Sequence, residues 1–372
     1  MNRQGRVAEL HISIYGSSLV STYWNGAATY YRGLLRGLAV RGHRITFFEP
    51  DIYDRQKHRD MDAPDWAEVV VYAGTEAGAR AALQQGRGAD VLVKTSGVGA
   101  FDDLLAEGVL QARGEDALAI YLDVDAPATL DHLAADPSDP LHRLLPRFDL
   151  VLTYGGGDPV VRRYRSFGAH GCVPIYNALD PSTHFPVPAD PRFECDLVFL
   201  GNRLPDREAR VEEFFLKAAR LAPEKRFLLA GNGWADKPVP DNVRVIGHIG
   251  SADHNALNCS ATAVLNVIRD GMARNGWSPA TRLFEAAGAG ACNITDFWAG
   301  IPDFLEPDWE ILVATDGQAV ARHLRELTPE RARLIGERAR RRILADHTYD
   351  RRAEQVEDLL LNAFAWTSRK TA

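Results

Sequence analysis

Short apolar runs alternate with stretches of helical period along nearly the whole chain, and that alternation admits few architectures. HISIY (11–15) reads as a strand, GAATYYRGLLRGLAVRGH (26–43) as an amphipathic helix closed by Gly42, and RITFFEP as the next strand. EVVVYAG, ADVLVKTSG, ALAIYLDVD and DLVLTYGGG follow, each apolar and each ended by Gly, Ser or Asp, with helical stretches between them. Runs of this kind predict right-handed βαβ units around a parallel sheet covered on both faces.

The texture changes near residue 177. NALDPSTHFPVPADPRFECD holds four prolines and little periodicity, a linker composition. The alternation then restarts with CDLVFLGN, a helix over 207–221, KRFLLAGNG, VRVIGHIG, a helix over 252–259, ATAVLNV, a helix over 279–288, CNITD and WEILVA. The expected layout is an acceptor domain over 1–176, a linker over 177–195, a second α/β domain over 196–350 and a terminal helix, 351–372, that packs back across the first domain. A chain of 372 residues is too long for one ordinary core, which agrees with two domains. The fold class predicted is α/β, two doubly wound Rossmann-like halves facing a central cleft.

A formal net charge of -7 argues against broad nucleic-acid or anionic-membrane binding. Basic tracts at Arg338–Arg342 and Arg351-Arg352 read as solvated helix faces, and peripheral membrane association stays open. Cys172, Cys195, Cys259 and Cys292 lie far apart with no C-x-x-C spacing, so they read as reduced thiols and not as a zinc site or a disulfide framework. The N-terminus lacks a signal-peptide apolar core, and no run approaches the ~20 apolar residues that span a bilayer. The expected location is cytoplasmic.

Ligands of parallel sheets bind beyond the carboxyl ends of the strands, so those residues carry the functional argument. SPATRLFEAAGAGACNITD (278–296) opens with Ser278 at a helix cap and Pro279 at its first position. The first amides of that helix, with the hydroxyls of Ser278 and Thr281 and the cation of Arg282, offer an anion site. Glu285, one turn further on, would repel phosphate but can accept from the hydroxyls of a ribose. Arg203 and Arg207, in GNRLPDR after another strand, suit bidentate phosphate contact. AGNGW (230–234) and IGHIG (246–250) end two more strands, and the backbone around Gly247, His248 and Ile249 can read a nucleobase edge. In the first half, the loop from Ser17 to Asn25-Gly26 can offer amides to a sugar or an anion; it is not G-x-G-x-x-G. YLDVDAP delivers Asp123 and Asp125 at a strand end. Either the pair holds a divalent metal, or one Asp contacts a sugar or acts as general base, or Asp125 caps the helix that follows.

These blocks together carry a resemblance. NALDPSTHFP looks like the interdomain linker of GT-B glycosyltransferases. GNRLPDRE, AGNGW, SPATRLFEAAGAGACNITD and WEILVA, with NGAATYYRGLLRGLAVRGHRITFFEPD and DVDAPATL, resemble the CgeB-like (spore maturation type) glycosyltransferases, related to group 1. The resemblance implies a GT-B fold, a nucleotide-sugar donor held by the second domain, Glu285 on the ribose, and Arg203 and Arg207 beside the diphosphate. UDP is the nucleotide of the family's habit. One departure is Trp277, which stands where many retaining relatives carry a second Glu eight positions before the ribose Glu.

The expected activity is glycosyl transfer from a nucleoside-diphosphate sugar, without a metal or a resident cofactor. Arg203, Arg207 and the helix start at Ser278 would stabilise the leaving diphosphate, and Asp125 is the candidate catalytic residue. The rivals are a nucleotide-sugar epimerase, a nucleotide-sugar-binding protein without turnover, and a metal-dependent transferase using Asp123 and Asp125. The acceptor, whether glycan, protein or small molecule, has no code in the sequence.

Overall fold

The computed structural model describes residues 9–371. Two compact units divide the chain. One comprises the residues up to Tyr176 together with Tyr349 onward, and the other is Asn177–Thr348.

The first unit is built on a seven-stranded sheet. Its strands are β1 (His11–Tyr15), β2 (Arg44–Asp51), β3 (Glu68–Ala73), β4 (Val91–Thr95), β5 (Leu118–Asp123), β6 (Leu150–Thr153) and β7 (Cys172–Pro174). All pair in parallel, in the order β3-β2-β1-β4-β5-β6-β7, so the topological switch lies between β1 and β4. β7 was not foreseen: three residues ending in Pro174 carry no period, and a proline that cannot donate suits the sheet edge where this strand lies.

The second unit repeats the plan with six strands. They are β8 (Cys195–Leu200), β9 (Phe227–Ala230), β10 (Val243–Gly247), β11 (Ala261–Asn266), β12 (Asn293–Asp296) and β13 (Leu312–Ala314). The order β10-β9-β8-β11-β12-β13 puts the switch between β8 and β11. The foreseen helix over 207–221 is helical throughout but passes through a π turn at Glu212–Leu216. The foreseen helix over 252–259 is the helix His254–Ser260 behind a short 3₁₀ turn.

The interiors of the central strands are dry on both faces. Leu197, Val198 and Phe199 of β8 and Leu228 and Leu229 of β9 are fully buried, as are Val91 and Leu92 of β4. The polar side chains these sheets bury are paired, as Lys94 of β4 is with Asp102. The four cysteines are free, and Cys172, Cys195 and Cys292 are buried. No helix among the described residues is long and apolar enough to cross a membrane.

The last helix, Tyr349–Thr371, completes the first unit by packing on the helix Ala28–Val40. Two glycines permit the close approach. A Cβ at Gly33 would stand 2.1 Å from the Tyr349 ring, and one at Gly37 would stand 2.8 Å from the Ala353 Cβ. At the far end of the contact Arg41 pairs with Glu357, and His43 Nε2 lies 3.1 Å from Glu357 Oε1. The chain therefore leaves the first unit after Tyr176 and re-enters it at Tyr349. The two crossing segments run side by side, with the Leu179 amide donating to the His347 carbonyl at 2.8 Å.

Two measurements check this packing. Gly33→Ala gains up to about 1 kcal/mol of helix propensity but overpacks the contact at a cost of about 1–3 kcal/mol, so thermal unfolding should move to lower temperature. Burial works to raise the Glu357 pKa, but Arg41 and His43 outweigh it, and the net shift is downward from 4.5. A depressed carboxylate stabilises above its unfolded pKa and loses that contribution as pH falls through the folded one. Denaturant titrations should find Glu357→Gln less stable than wild type near neutral pH, with the gap closing below pH 4.5.

Candidate functional site

In the second unit the carboxyl ends of β8, β9 and β10 are tied into one surface. The Gly201 amide donates to the Ala230 carbonyl at 2.9 Å, Arg203 N to the Asn232 carbonyl at 2.9 Å, and Gly231 N to the Gly247 carbonyl at 2.6 Å. The Trp234 indole donates to the Gly201 carbonyl at 2.7 Å. Gly231 has a φ of +123°, and a Cβ there would stand 2.2 Å from the Gly201 oxygen, so these loops meet only because glycine occupies that position.

The two arginines of GNRLPDR have different fates. Arg203, expected beside a diphosphate, is instead committed to carboxylates. Its Nη2 donates to Glu208 at 2.7 Å and its Nη1 to Asp236 at 3.2 Å and to the Gly233 carbonyl at 3.3 Å. Hydrogen bonds from Arg203 and then Lys237 pull the Glu208 carboxyl down to about 2. Arg207, on the helix Pro205–Val211, points back under Gly201, where a Cβ would be 3.0 Å from its Nη1. Burial and the repulsion of Arg282 lower its pKa to about 10. Burial also lowers the pKa of Arg282, against the pull of Glu285. Arg282 lies over the Phe199 ring, 5.8 Å from its centroid. The Nε of each is buried without a partner, and among the described residues neither guanidinium forms an ion pair. Two like charges held in a half-dry corner are an arrangement that an anion would relieve.

The helix that carries Arg282 begins later than expected. It spans Thr281–Gly288, and the position before it is Ala280, which has no side chain to cap with. Ser278 is buried and its Oγ donates to the Gly276 carbonyl at 3.0 Å, so it does not cap. Long-range bonds hold 276–280 out of the helix: Trp277 N donates to the Ala299 carbonyl at 2.7 Å and Asn177 Nδ2 to the Pro279 carbonyl at 3.4 Å. Trp277 has a positive φ of 43°, and its indole donates to Asp303 at 2.6 Å. Half-buried Thr281 therefore opens the helix with no side-chain cap on its first amides.

Glu285, one turn beyond Thr281, is 18% exposed. Its Oε1 lies 3.9 Å from Nε2 of His184, and His254, the first residue of its helix, completes a cluster with them. Neither histidine was singled out in the sequence, because one sits in the proline-rich stretch and the other at an unremarked helix start. Burial lowers the His254 pKa, against the pull of Glu285. Of the residues expected at a nucleobase, Gly247 has a φ of +68°, His248 is exposed and Ile249 is half-buried.

In the first unit, the expected sugar loop is braced internally. Ser17 Oγ donates to Asn25 Oδ1 at 2.8 Å, and Asn25 Nδ2 donates to the carbonyls of Ser18 and Ser21. Both side chains are buried, which leaves Gly26 as the exposed member. Asp123 is likewise consumed. It accepts from Ser96 Oγ at 2.6 Å, from Asp125 N at 2.8 Å and from the Tyr164 hydroxyl. An Asp-x-Asp metal pair would need those oxygens, so the metal reading of YLDVDAP does not fit. Asp125 stands before the helix Ala126–Ala135, half-buried, and its side chain does not cap it.

Residues 207–358 match the model of a family described as glycosyl transferase-like. Among curated protein sequences, none matches the chain. Solved structures resemble nearly all of it. Sucrose-phosphate synthase from Thermosynechococcus elongatus is 15% identical, with a TM-score of 0.70 over 96% of this chain and 100% of that one. An alpha-glucosyltransferase in complex with UDP-glucose and abasic-site DNA is 11% identical, with a TM-score of 0.69 over 95% and 100%. Anabaena HepE in complex with UDP and glucose is 13% identical, with a TM-score of 0.67 over 95% and 100%. The fold is α/β with two Rossmann-like units, matching the GT-B structures.

The charge arrangement makes a differential prediction in thermal unfolding. Arg207→Met and Arg282→Met each remove one of two repelling, desolvated cations and should unfold at or above the wild-type temperature. Arg210→Met should unfold lower, by about 3 kcal/mol, because Arg210 pairs with Asp296, whose side chain is 0% exposed.

Proposed function

We propose that the chain is a glycosyltransferase that moves a sugar from a nucleoside-diphosphate sugar, UDP-linked, to an acceptor hydroxyl. The observation that carries this reading is the pair of guanidinium groups, Arg207 and Arg282, desolvated, mutually repelling and without carboxylate ion pairs among the described residues, Arg282 one helical turn from Glu285. A diphosphate would neutralise the two cations, and the uncapped amides at Thr281 and Arg282 would add donors of the same polarity. Glu285 would accept from the ribose hydroxyls. The loop Gly247-His248-Ile249 is assigned to the base. Arg203 would act at one remove, holding Glu208 and the loop.

In the reaction, the bond between the anomeric carbon and the diphosphate oxygen breaks, and its electron pair stays on the diphosphate. The acceptor oxygen bonds the anomeric carbon and its proton leaves to a base. Arg207 and Arg282 stabilise the charge as it grows, which is electrostatic catalysis by groups already in place. Fixed cations of this kind supply what a metal ion supplies elsewhere, so the reading is metal-independent. In the first unit, Asp125 is assigned to a hydroxyl of the sugar or acceptor. It serves as general base if the anomeric centre inverts and orients only if it is retained. Support for the reading comes from the family match over 207–358 and from the UDP-sugars in the neighbouring structures. The finer family reading is CgeB-like, and the cell compartment proposed is the cytoplasm.

The test is calorimetric titration of UDP, GDP and dTDP into metal-free protein. UDP should bind at micromolar strength. Glu285→Ala should weaken it about 10–100-fold, the worth of one or two hydrogen bonds to a charged group. Arg207→Met and Arg282→Met should weaken UDP more than uridine. If no nucleoside diphosphate binds, or if binding ignores Glu285, the assignment fails.

A further inference from the structure

We propose that His184, His254 and Glu285 form a site for a zinc-class divalent ion, and that this ion competes with the nucleotide for Glu285. The first half stands on geometry alone; the second rests on the donor-site reading above.

The three residues each offer one ligand atom, and these atoms all lie within 4.8 Å of one another. A tetrahedral ion with bonds of about 2.0–2.1 Å holds its ligands about 3.3 Å apart. Side-chain rotation of roughly an ångström would close the set. His184 is already oriented for this. The Thr183 hydroxyl lies 3.1 Å from the Asp180 carbonyl, to which it can donate, and 2.9 Å from His184 Nδ1. With the hydroxyl proton directed at that carbonyl, Nδ1–H donates to the hydroxyl oxygen, and in this tautomer Nε2 is left with a lone pair. That lone pair faces Glu285 Oε1 at 3.9 Å. In this tautomer two electron-rich atoms face each other, and an ion between them would satisfy both. An oxygen acceptor on the second ring nitrogen is the usual outer support of a ligating histidine, and the Thr183 hydroxyl can supply one.

The donor set selects the metal. Two imidazoles and one carboxylate suit zinc and its neighbours; magnesium and calcium prefer all-oxygen shells. His184 is 13% and Glu285 18% exposed, so a fourth position is open to water. A carboxylate bound to zinc has its charge drawn to the metal and is a poorer acceptor for ribose hydroxyls. Zinc would thus oppose nucleotide binding and take no part in transfer. The ligands come from the proline-rich stretch and two separate helices of one unit, a combination that no local spacing announces.

Calorimetric titration of zinc chloride into the metal-stripped full chain decides the first half. One ion per chain should bind the wild type. His184→Ala and His254→Ala should each bind at least tenfold more weakly, and Thr183→Val about tenfold. Magnesium chloride should give no heat. Because a histidine variant can misfold, cobalt(II) should also be titrated into the wild type, where the intense visible bands of a tetrahedral site are expected. No zinc binding, unchanged binding in both histidine variants, or only octahedral cobalt bands would overturn the site. UDP is then titrated with and without zinc. Zinc should weaken UDP binding to wild type and leave His184→Ala unaffected, whereas simple chelation of UDP would weaken both alike and sink the competition. UDP binding without metal tests the donor-site reading separately.

Discussion

Parallel strands buried on both faces can keep a charge only where a partner meets it, as Arg210 meets Asp296 of β12. The side chains proposed to meet a ligand in the second unit, Arg207, Arg282 and Glu285, accordingly lie past the strand ends, on helices. β8 runs through Leu197, Val198 and Phe199 with no exposed side chain, and the first guanidinium appears only beyond Gly201. The same constraint explains why these loops are rich in glycine. Backbone must bond backbone across neighbouring strand ends, as Gly231 does with Gly247, before any side chain can be aimed.

That constraint also sets what could be read in advance. Apolar runs bounded by turn residues announced nearly all the strands, because burial on both faces writes itself into composition. The ligating side chains were only half legible. Arg203 and Arg207 look equivalent in GNRLPDR, and what separates them is Asp236, which meets Arg203 from another loop. Ser278-Pro279 has the chemistry of a helix start, yet the chain, held at Trp277 by its bond to Ala299, enters the helix only at Thr281. Asp123 and Asp125 alternate as a metal pair would, but Ser96 and Tyr164 arrive from elsewhere to occupy Asp123. In each case a tertiary partner overrode a local rule, and partners distant in sequence leave no local trace.

The corner around Arg207 and Arg282 is locally unfavourable, two desolvated cations with no carboxylate ion pair among the described residues. Arg210, a short distance along the same helix from Arg207, has two carboxylates, and Arg203 has two of its own. Unpaired cations beside paired ones indicate a place kept for something outside the chain. Glu285 is pulled in two directions there, toward the arginine of its own helix and toward two histidines, and either neighbour can decide what it holds.

The return of the last helix to the first unit has a consequence for how the protein is made. Synthesis runs from the amino end, and the second unit, Asn177–Thr348, is continuous. The first unit is not. Its glycine-lined groove at Gly33 and Gly37 waits for Tyr349 and Ala353 until the ribosome has emitted everything in between. The half of the molecule that begins first is thus the half that finishes last, and a nascent chain carries an open apolar seam for most of its translation.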